Sequence, residues 1–377
     1  MAKKAYLTDE NSIHRKIRKK YLTDESGIHR KVKKAYMTIG GVFRPYWSGG
    51  EVVRYGVATS LSSAPYMFAA TSIGNYALFG GGQSSSGDVF NTVDAYDKSL
   101  VKTSAPNLTS AKYNHAASHT KDFALFSGGY RGLTHVDAYN SSLEKTEAPK
   151  PDVGRYRLAG THIGDSVLFA GGFDVYNKVR TDVDAYDNSL AKTLPTPLSE
   201  ARQYIGAATI GNYAIFAGGQ TSNDNNKIST TVDAYNTLLE RTDAPSLDEH
   251  DAYLAAATVG NFAVFMGGDY RSNNTVYAYD KSLSKTAIAS ILTHRTWMAG
   301  TSVEGFALFG GGYNVNDSNN SILADVVVFD ESLTQTLTSP LHTAKYHLAA
   351  ATVGNYALFG GGTNTATLST VDAYAVL

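Results

Sequence analysis

Cysteine is absent from this chain of 377 residues. Its absence excludes disulfides, thiolate metal sites and cysteine nucleophiles, although it says little about the cellular compartment. Long apolar runs are also missing, because no stretch approaches the roughly 20 residues that a membrane-spanning helix requires. The first residues, MAKKAYLTDENS, include lysines but lack the apolar segment of a secretory signal. We therefore expect a protein that is made without a signal peptide and does not insert into a membrane.

Catalytic signatures are scarce as well. The chain has no P-loop, no HExxH motif and no GxSxG motif. His115 and His119 have the spacing of a helical metal pair, but on a strand they would lie about 13 Å apart, too far to share one ion. The polar segments at 223–226 and 317–320 do not complete a calcium-loop motif. We expect no enzyme activity, no metal site and no cofactor.

Charge is unevenly distributed along the chain. The net charge of −1 combines a basic start, with 12 Lys+Arg and 4 Asp+Glu in residues 1–50, with a remainder that holds 21 basic and 30 acidic residues. This asymmetry suggests two modules with different partners. The hydrophobic content of 43% indicates that most of the chain is globular. We therefore divide it into residues 1–50 and residues 51–377.

A long repeat dominates the second module. Its most regular segment begins at residues 74, 121, 164, 211, 260, 304 and 354, with sequences such as GNYALFGGG, GDSVLFAGG and EGFALFGGG. The successive spacings are 47, 43, 47, 49, 44 and 50 residues. A period near 47 residues is typical of a four-stranded propeller blade rather than a two-helix solenoid repeat. The sequence therefore predicts an all-β, seven-bladed propeller.

Each unit predicts four strands, with sequences related to YxxAAT, YALF, VDAYD and SLxKT. The YALF run is apolar at consecutive positions, as in a strand that is covered on both faces. The seventh unit ends on TVDAYAVL, residues 370–377, and lacks the fourth strand. Residues 51–57, EVVRYGV, precede the first strand of blade one at the spacing of a fourth strand. We expect them to complete the last blade and close the ring.

The double glycine after an apolar strand, the VDAY segment and the basic AR or AK before the next blade resemble the Kelch repeat over about residues 51–377. One departure is that KT stands where Kelch units usually carry a tryptophan. The resemblance implies a Kelch-like propeller, but this architecture hosts enzymes, scaffolds and lectins.

A second repeat, of 15 residues, occupies residues 1–47, with tyrosines at 6, 21 and 36. Turn-like groups separate alternating stretches, which predicts a small basic β-meander. The segment KVKKAYMTIGGVFRPYWSGG is similar to short repeats that begin tail-associated structural proteins of phages and prophages of Gram-positive bacteria. The resemblance implies docking to a particle component, with Arg15, Lys16, Arg30 and Lys31 as candidate contacts. A solvated strand face is the simpler explanation of these charges, and nucleic-acid binding is disfavoured by the interleaved acidic residues.

The aspartate of VDAY recurs at 94, 137, 184, 233 and 372. Because a catalytic acid is needed once or twice and not in five blades, we expect a structural role, such as pairing with the KT lysine or accepting hydrogen bonds from a turn. Blades five and six carry Tyr277 and Val327 at this position.

The loop between the second and third strands differs in every blade, which is the arrangement of a binding surface, although drift of unconstrained loops would look the same. Candidate loop residues are Tyr130, Arg131, Tyr176, Asp269, Tyr270, Arg271 and Tyr313. Aromatic residues also precede the first strand of each blade, on the face that bears these loops, and could stack on sugars or simply pack between blades. They are Tyr66, Tyr113, Tyr156, Tyr204, Tyr253, Trp297 and Tyr346. Nearby cations could supply donors to acidic sugars, namely Lys112, Arg155, Arg202, Arg295 and Lys345.

These observations favour a non-enzymatic, tail-associated phage or prophage virion protein. Its residues 1–50 would dock to the particle, and its propeller loops would bind a host-surface glycan or protein. Such a protein would be made in the bacterial cytoplasm and could be oligomeric. One alternative is an intracellular Kelch-like interaction scaffold. Another is a carbohydrate-active enzyme, such as a mutarotase-like propeller, which would need acid and base groups converging in one pocket.

Overall fold

The structure is a computed structural model. It describes residues 21–23, 29–31, 35–39, 42–47, 50–223, 227–268, 275–290, 294–314 and 321–376, and for the strands before residue 50 it describes the backbone. The chain divides into two compact units, one of residues 1–53 with 376–377 and the other of residues 54–375. In the first unit, β1 (Tyr21–Thr23) pairs with β2 (His29–Lys31), and β3 (Ala35–Ile39) pairs with β4 (Val42–Trp47). Both pairs are antiparallel.

The rest of the described chain is also built from strands, turns and loops. The further strands are β5 (Val52–Ala58), β6 (Ala69–Ile73), β7 (Tyr76–Gly80), β8 (Val93–Asp97), β9 (Lys102–Ala105), β10 (Ala116–His119), β11 (Ala124–Ser127), β12 (Val136–Tyr139), β13 (Lys145–Ala148), β14 (Arg155–Tyr156), β15 (Ala159–Ile163), β16 (Ser166–Ala170), β17 (Phe173–Asp174), β18 (Val183–Tyr186), β19 (Lys192–Thr193), β20 (Gly206–Ile210), β21 (Tyr213–Ala217), β22 (Val232–Tyr235), β23 (Arg241–Asp243), β24 (Ala255–Val259), β25 (Phe262–Met266), β26 (Thr275–Asp280), β27 (Lys285–Ala289), β28 (Ala299–Val303), β29 (Phe306–Gly310), β30 (Val326–Phe329), β31 (Gln335–Thr338), β32 (Ala349–Val353), β33 (Tyr356–Gly360) and β34 (Val371–Val376). The described residues contain no helix, and therefore none that is long and apolar enough to cross a membrane.

Seven four-stranded antiparallel sheets form the blades. Their strand orders are β6-β7-β8-β9, β10-β11-β12-β13, β15-β16-β18-β19, β20-β21-β22-β23, β24-β25-β26-β27, β28-β29-β30-β31 and β32-β33-β34-β5. The first strand of each sheet packs against the first strands of both neighbouring sheets, so that β6, β10, β15, β20, β24, β28 and β32 form a closed cycle around the axis. The predicted seven-bladed, all-β propeller is confirmed.

The ring closes as the sequence predicts. Strand β5, from before blade one, lies beside β34 as the fourth strand of blade seven. Arg54 on β5 approaches Asp372 on β34 to 3.8 Å, and Tyr55 packs edge-on against Tyr356 with ring centroids 5.0 Å apart. The last blade is thus built from both ends of the repeat region, and its outer strand covers an edge that would otherwise be open.

Burial follows the sequence pattern of each strand. In the first strand of a blade, such as β20, buried and half-buried residues alternate, because one face packs into the blade interface and the other faces the axis. In the second strand, such as β21, four consecutive residues are buried, because neighbouring blades cover both faces. This is why YALF is apolar at successive positions.

A tyrosine links neighbouring blades at regular intervals. The tyrosine of VDAY packs edge-on against the phenylalanine of the second strand, as Tyr139 does on Phe126 with centroids 5.8 Å apart. Its hydroxyl donates to a carbonyl in the loop that leads from the preceding blade, which for Tyr139 is Pro106 at 2.7 Å. Equivalent bonds are donated by Tyr96, Tyr186, Tyr235, Tyr279 and Tyr374. The recurring VDAY motif therefore holds consecutive blades together.

The fourth strand begins later than expected. In blade one it starts at Lys102, whereas Ser99 and Leu100 of SLVKT lie in the preceding turn. Asp97 Oδ1 accepts the N–H groups of Ser99 at 2.8 Å and Val101 at 2.9 Å, which fixes the turn. Leu100 takes a left-handed backbone with φ of 61°. A leucine tolerates this strain here because its side chain packs into the interface between blades.

Candidate functional site

One mouth of the central channel is framed by a ring of left-handed residues. The residue two before the first buried position of each first strand has a positive φ, between 53° and 63°. These residues, called the left-handed ring below, are Met67, Asn114, Arg157, Tyr204, Tyr253, Trp297 and His347. Because non-glycine residues seldom adopt this conformation, its recurrence in all seven blades marks a backbone feature that the surrounding structure imposes.

Backbone hydrogen bonds join this ring from blade to blade. The N–H of Asn114 donates to the carbonyl of Met67 at 2.8 Å, and the N–H of Arg157 donates to Asn114 at 2.8 Å. The same bond is donated by Tyr204, Tyr253, His347 and Met67 to the ring residue of the preceding blade. The left-handed turn aims each amide along the circumference, so neighbouring blades hold the ring residues in fixed positions. The backbone is regular, whereas the side chains that it presents are of six types, with tyrosine in two adjacent blades.

A second layer surrounds the ring. In five blades the residue before the ring position pairs in antiparallel fashion with the residue that follows the double glycine of the same blade, as Tyr66 does with Gln83. Gly81 and Gly82 permit this approach, because a Cβ on Gly81 would lie 2.6 Å from the Lys112 carbonyl of the next blade and one on Gly82 would lie 2.5 Å from Pro65. The loops between second and third strands therefore start at the rim of the mouth.

Aromatic side chains from these layers contact one another around the mouth in stacked, tilted and edge-on arrangements. These side chains are called the aromatic belt, and the Arg157 guanidinium lies between two of them, Tyr156 and Tyr204. The belt comprises Tyr66, Tyr113, Tyr130, Tyr156, Tyr204, Tyr253, Trp297, Tyr313, Tyr346 and His347. Ring centroids lie 4.2 Å apart for Tyr204 and Tyr253, 5.7 Å for Tyr253 and Trp297, and 4.8 Å for Tyr113 and Tyr130. Most of the belt is half-buried, so its rings are anchored on one side and accessible on the other.

The belt surrounds a cavity of about 310 Å³. The left-handed ring lines it together with a deeper apolar layer, which consists of Phe68, His115, Leu158, Ile205, Leu254, Met298 and Leu348. Burial lowers the pKa of His347 to about 3, so this imidazole is neutral at physiological pH. Burial likewise raises the pKa of Tyr113, Tyr156 and Tyr346, which keeps their hydroxyls protonated. The cavity thus combines flat apolar faces with neutral polar tips.

Below the mouth, hydroxyls line the channel. Thr258 Oγ1 donates to the Thr209 carbonyl at 2.8 Å, and Ser302 Oγ donates to the Thr258 carbonyl at 2.6 Å. Blades two and three place His119 and His162 at the equivalent position, with ring centroids 4.7 Å apart. Burial lowers the pKa of His119 to about 4 and lowers that of His162 as well, so both rings are neutral near pH 7.

The predicted aromatic residues do converge on one surface, but they are not equivalent. Tyr66, Tyr113, Tyr156 and Tyr346 occupy the position before the left-handed ring, whereas Tyr204, Tyr253 and Trp297 belong to the ring itself. The aromatic residues that precede the first strands therefore occupy two adjacent positions.

The candidate residues of the loops lie in different places. Tyr130 and Tyr313 belong to the belt, Arg131 is exposed beside Tyr130, and Tyr176 is 79% exposed at the tip of the blade-three loop. Asp269, Tyr270 and Arg271 lie outside the described residues. Among the docking candidates, Arg15 and Lys16 lie outside them too, and Arg30 and Lys31 are part of β2.

The five cations that were expected to supply donors to an acidic sugar do not lie at the site. Lys112, Arg155, Arg202, Arg295 and Lys345 are all buried. Lys112 lies 3.0 Å from Asp137 and Lys345 lies 2.9 Å from Asp372, with both partners of each pair fully buried. The other three pair with Asp184, Asp233 and Asp325. These cations are therefore bound to protein carboxylates and do not face a ligand, and the structural role expected for the VDAY aspartates is confirmed.

Sequence reasoning missed four ring residues, namely Met67, Asn114, Arg157 and His347. Their signal is a position that has a fixed place in a regular repeat and yet changes in residue type from blade to blade. Such a position carries no recurring motif, so only its register beside the aromatic residues could have identified it.

Comparisons with known proteins support the fold. No protein-family model matches the chain, and no curated protein matches it. A solved structure described as "Structure of YjhT" is similar, with a TM-score of 0.56 and 12% identity over 72% of this chain and 96% of that chain. At this identity the likeness concerns the fold alone. The chain is a seven-bladed β-propeller with an aromatic channel mouth.

Proposed function

We propose that this protein is a non-enzymatic, tail-associated phage or prophage virion protein, and that its Kelch-like propeller binds a glycan of the host surface at the aromatic belt. The observation that supports the glycan is the belt itself. Flat sugar faces pack on aromatic rings, and sugar hydroxyls exchange hydrogen bonds with the polar tips of tyrosine and tryptophan. Tyr204, Tyr253, Trp297 and His347 line the cavity, the other rings of the belt extend this surface, and together they provide both kinds of contact.

Preorganisation supports binding at this place. The left-handed ring fixes the backbone of Tyr204, Tyr253 and Trp297 through hydrogen bonds between blades. Neighbouring rings then restrict their side chains, since Trp297 contacts Tyr253, Tyr313, Tyr346 and His347. Little conformational entropy would be lost when a ligand covers these rings, which favours affinity.

The particle-docking half of the proposal rests on the basic 15-residue repeat of residues 1–47 and on its resemblance to phage tail proteins. A version that lacks residues 1–48 should bind host cells as the full chain does but should not be incorporated into particles. Quantitative mass spectrometry of purified particles measures this directly. Incorporation of the truncated protein at normal copy number would contradict the docking role.

Glycan binding is tested by truncating aromatic side chains of the belt. Trp297→Ala and Tyr253→Ala should each reduce binding to host cells and to an array of immobilised oligosaccharides by about tenfold, because each removes a stacking surface. Tyr213→Ala is a matched control, since Tyr213 is also half-buried but lies at the other end of its blade, beside the turn at Gly211. Melting temperatures of all three variants separate binding from stability. Equal binding by wild type and both belt variants would contradict a glycan site here.

The same oligosaccharides serve to test catalysis. We propose that the bound glycan leaves the propeller unchanged, so chromatography and NMR spectra of sugars incubated with the protein should match those of the sugars alone. A new product or an accelerated exchange of anomers that Trp297→Ala abolishes would instead identify the belt as the active site of a carbohydrate-active enzyme.

A further inference from the structure

Arg157 differs from the buried, paired cations of the propeller. Among the described residues that line the cavity, Arg157 alone carries a permanent charge. Its side chain is half-buried and forms no ion pair within the described part of the chain. This differs from Arg155, two residues earlier, whose guanidinium is buried against Asp184. Arg155 and Arg157 of blade three therefore have different roles, and that of Arg155 is structural.

The Arg157 side chain is held in place on several sides. Its guanidinium carbon lies 4.7 Å from the centroid of Tyr204 and 5.2 Å from that of Tyr156. Its Nη1 donates to Gln203 Oε1 at 3.2 Å. Gln203 is itself fully buried, and its Nε2 donates to the Ser222 carbonyl at 3.1 Å, which fixes the orientation of its amide. The guanidinium is thus positioned by neutral groups that leave its charge uncompensated.

The hydrogen-bonding capacity of Arg157 is incompletely used. Its Nε is buried and has no hydrogen-bond partner within the described chain. A half-buried cation without a carboxylate is unfavourable, and an anion in the cavity would compensate its charge. A guanidinium presents two parallel N–H groups that match the oxygens of a carboxylate or phosphate.

Neighbouring charges leave room for an anion. His347 and His115 are neutral at physiological pH, because burial lowers the pKa of each to about 3. The nearby carboxylate of Asp174 accepts the amides of Tyr176 and Lys178 at 2.8 and 3.0 Å and lies 3.4 Å from Arg180. It is therefore engaged within its own loop. Among the described residues that line the cavity, the charge is therefore that of Arg157.

We propose that Arg157 binds an anionic group of the glycan, a carboxylate or a phosphate, while Tyr204 and the adjacent rings of the belt stack against the sugar that carries it. The ligand class would then be an acidic saccharide. This inference rests on the proposed function, since it concerns the ligand of the same site. It adds that a negative charge on the saccharide distinguishes ligands from non-ligands.

The experiment compares three probes that share one sugar: glucose, glucuronate and glucose 1-phosphate. Binding to the full chain is measured by ligand-observed NMR titration at low and at high salt. Wild type should bind glucuronate or glucose 1-phosphate at least about tenfold more tightly than glucose, and salt should weaken the preference. The better of the two anionic probes identifies carboxylate or phosphate as the preferred group.

Variants then assign the preference to Arg157. Arg157→Gln should remove the preference for the anionic probes and leave glucose binding unchanged, and Arg157→Lys should restore part of it. Lys98→Gln is the control for net charge, because Lys98 is exposed in the turn between β8 and β9, and it should leave the preference unchanged. If Arg157→Gln fails to fold, Gln203→Ala, which leaves the charge but releases the guanidinium, should weaken the preference instead.

The outcomes separate the two proposals. Equal affinity of wild type for glucose and both anionic probes, or an unchanged preference in Arg157→Gln, would overturn the role of Arg157 while the glycan site itself stands. Failure of folded wild type to bind any probe, any arrayed oligosaccharide or host cells would overturn the proposed function and this inference with it.

Discussion

The ion pair between Lys112 and Asp137 offers the sharpest test of how the blades are held together. Lys112 Nζ lies 3.0 Å from Asp137 Oδ2, and both side chains are fully buried. Burial lowers the pKa of Lys112, and Asp137 counteracts part of this effect. In Asp137→Ala the buried ammonium would retain the His135 carbonyl, at 3.1 Å, as its described partner. The amide of Thr109 would also lose its acceptor, whereas the Thr109 hydroxyl would keep Glu147 Oε1 at 2.7 Å.

Removing one partner of a buried ion pair costs about 3–5 kcal/mol. The entropy of unfolding near 60 °C is about 2.1 cal/mol/K per residue, which for the unit of residues 54–375 gives about 0.7 kcal/mol/K. Asp137→Ala should therefore lower the melting temperature by about 4–7 °C. Calorimetry and circular dichroism measure this value when unfolding is a single transition.

Blade one supplies the control. Pro65 stands there at the position of Lys112, and Asp94 accepts the amide of Ser62 at 2.7 Å and its hydroxyl at 2.6 Å. Asp94→Ala leaves no buried cation and should cost less, about 1–3 kcal/mol. Lys112→Met combined with Asp137→Ala removes both charges and should recover most of the loss. The reasoning fails if Asp137→Ala melts within about 1 °C of wild type, or if the double variant is as unstable as the single one.

Three further outcomes follow from the same structure. Deleting residues 1–48 should leave the melting temperature of the propeller unchanged, whereas deleting 1–58 removes β5 and should lower it and promote aggregation, so equal melting of the two would argue against the closure. His119 and His162 are neutral in the fold and protonate more readily when unfolded, so the unfolded state binds more protons below pH 6.5. Stability should fall from pH 6.5 towards pH 4, by up to about 1.4 kcal/mol per pH unit for each such histidine, and His119→Gln with His162→Gln should reduce this dependence in urea titrations, while His115 and His347, whose pKa burial also lowers, maintain the rest. Tyr139→Phe removes the hydroxyl that bonds to the preceding blade and should cost about 1 kcal/mol in the same assay, and no loss would show that ring packing alone links the blades.

The fold could be predicted because its signals recur seven times. The apolar YALF run, the turn before it and the double glycine after it each carry a local physical meaning, and their spacing gave the number of blades. The closure by residues 51–57 followed from a missing fourth strand at one end and a spare strand at the other. The predicted fourth strand was wrong only at its first residues. Ser99 and Leu100 belong to a turn that Asp97 holds, and a left-handed leucine is not a pattern that strand propensity would suggest.

The site was harder to predict, because its backbone is set by contacts between blades. The left-handed conformation of Tyr204 depends on hydrogen bonds to Arg157 and Tyr253 in neighbouring units, which no single repeat encodes. The buried cations did leave a signal in the sequence. Blades with Lys or Arg before the first strand also carry the VDAY aspartate or, in blade six, Asp325. Blade five, which has Asp251 at the cation position, carries Tyr277 in place of that aspartate. Matching the two positions across repeats would have identified an internal ion pair.

Each repeat of the propeller therefore has separate positions for holding the blades together and for facing the channel mouth. The positions that hold blades together, such as Tyr139 and Asp137, repeat because every blade interface presents the same problem. The left-handed ring has a backbone that is equally repetitive, but its side chains face the channel mouth, where no neighbouring blade dictates their type. The seven positions of this rigid circle hold six residue types, and such side chains can change with little effect on folding. A circle of this kind favours the evolution of ligand specificity, and in this chain it joins one uncompensated cation to a nearly continuous aromatic surface.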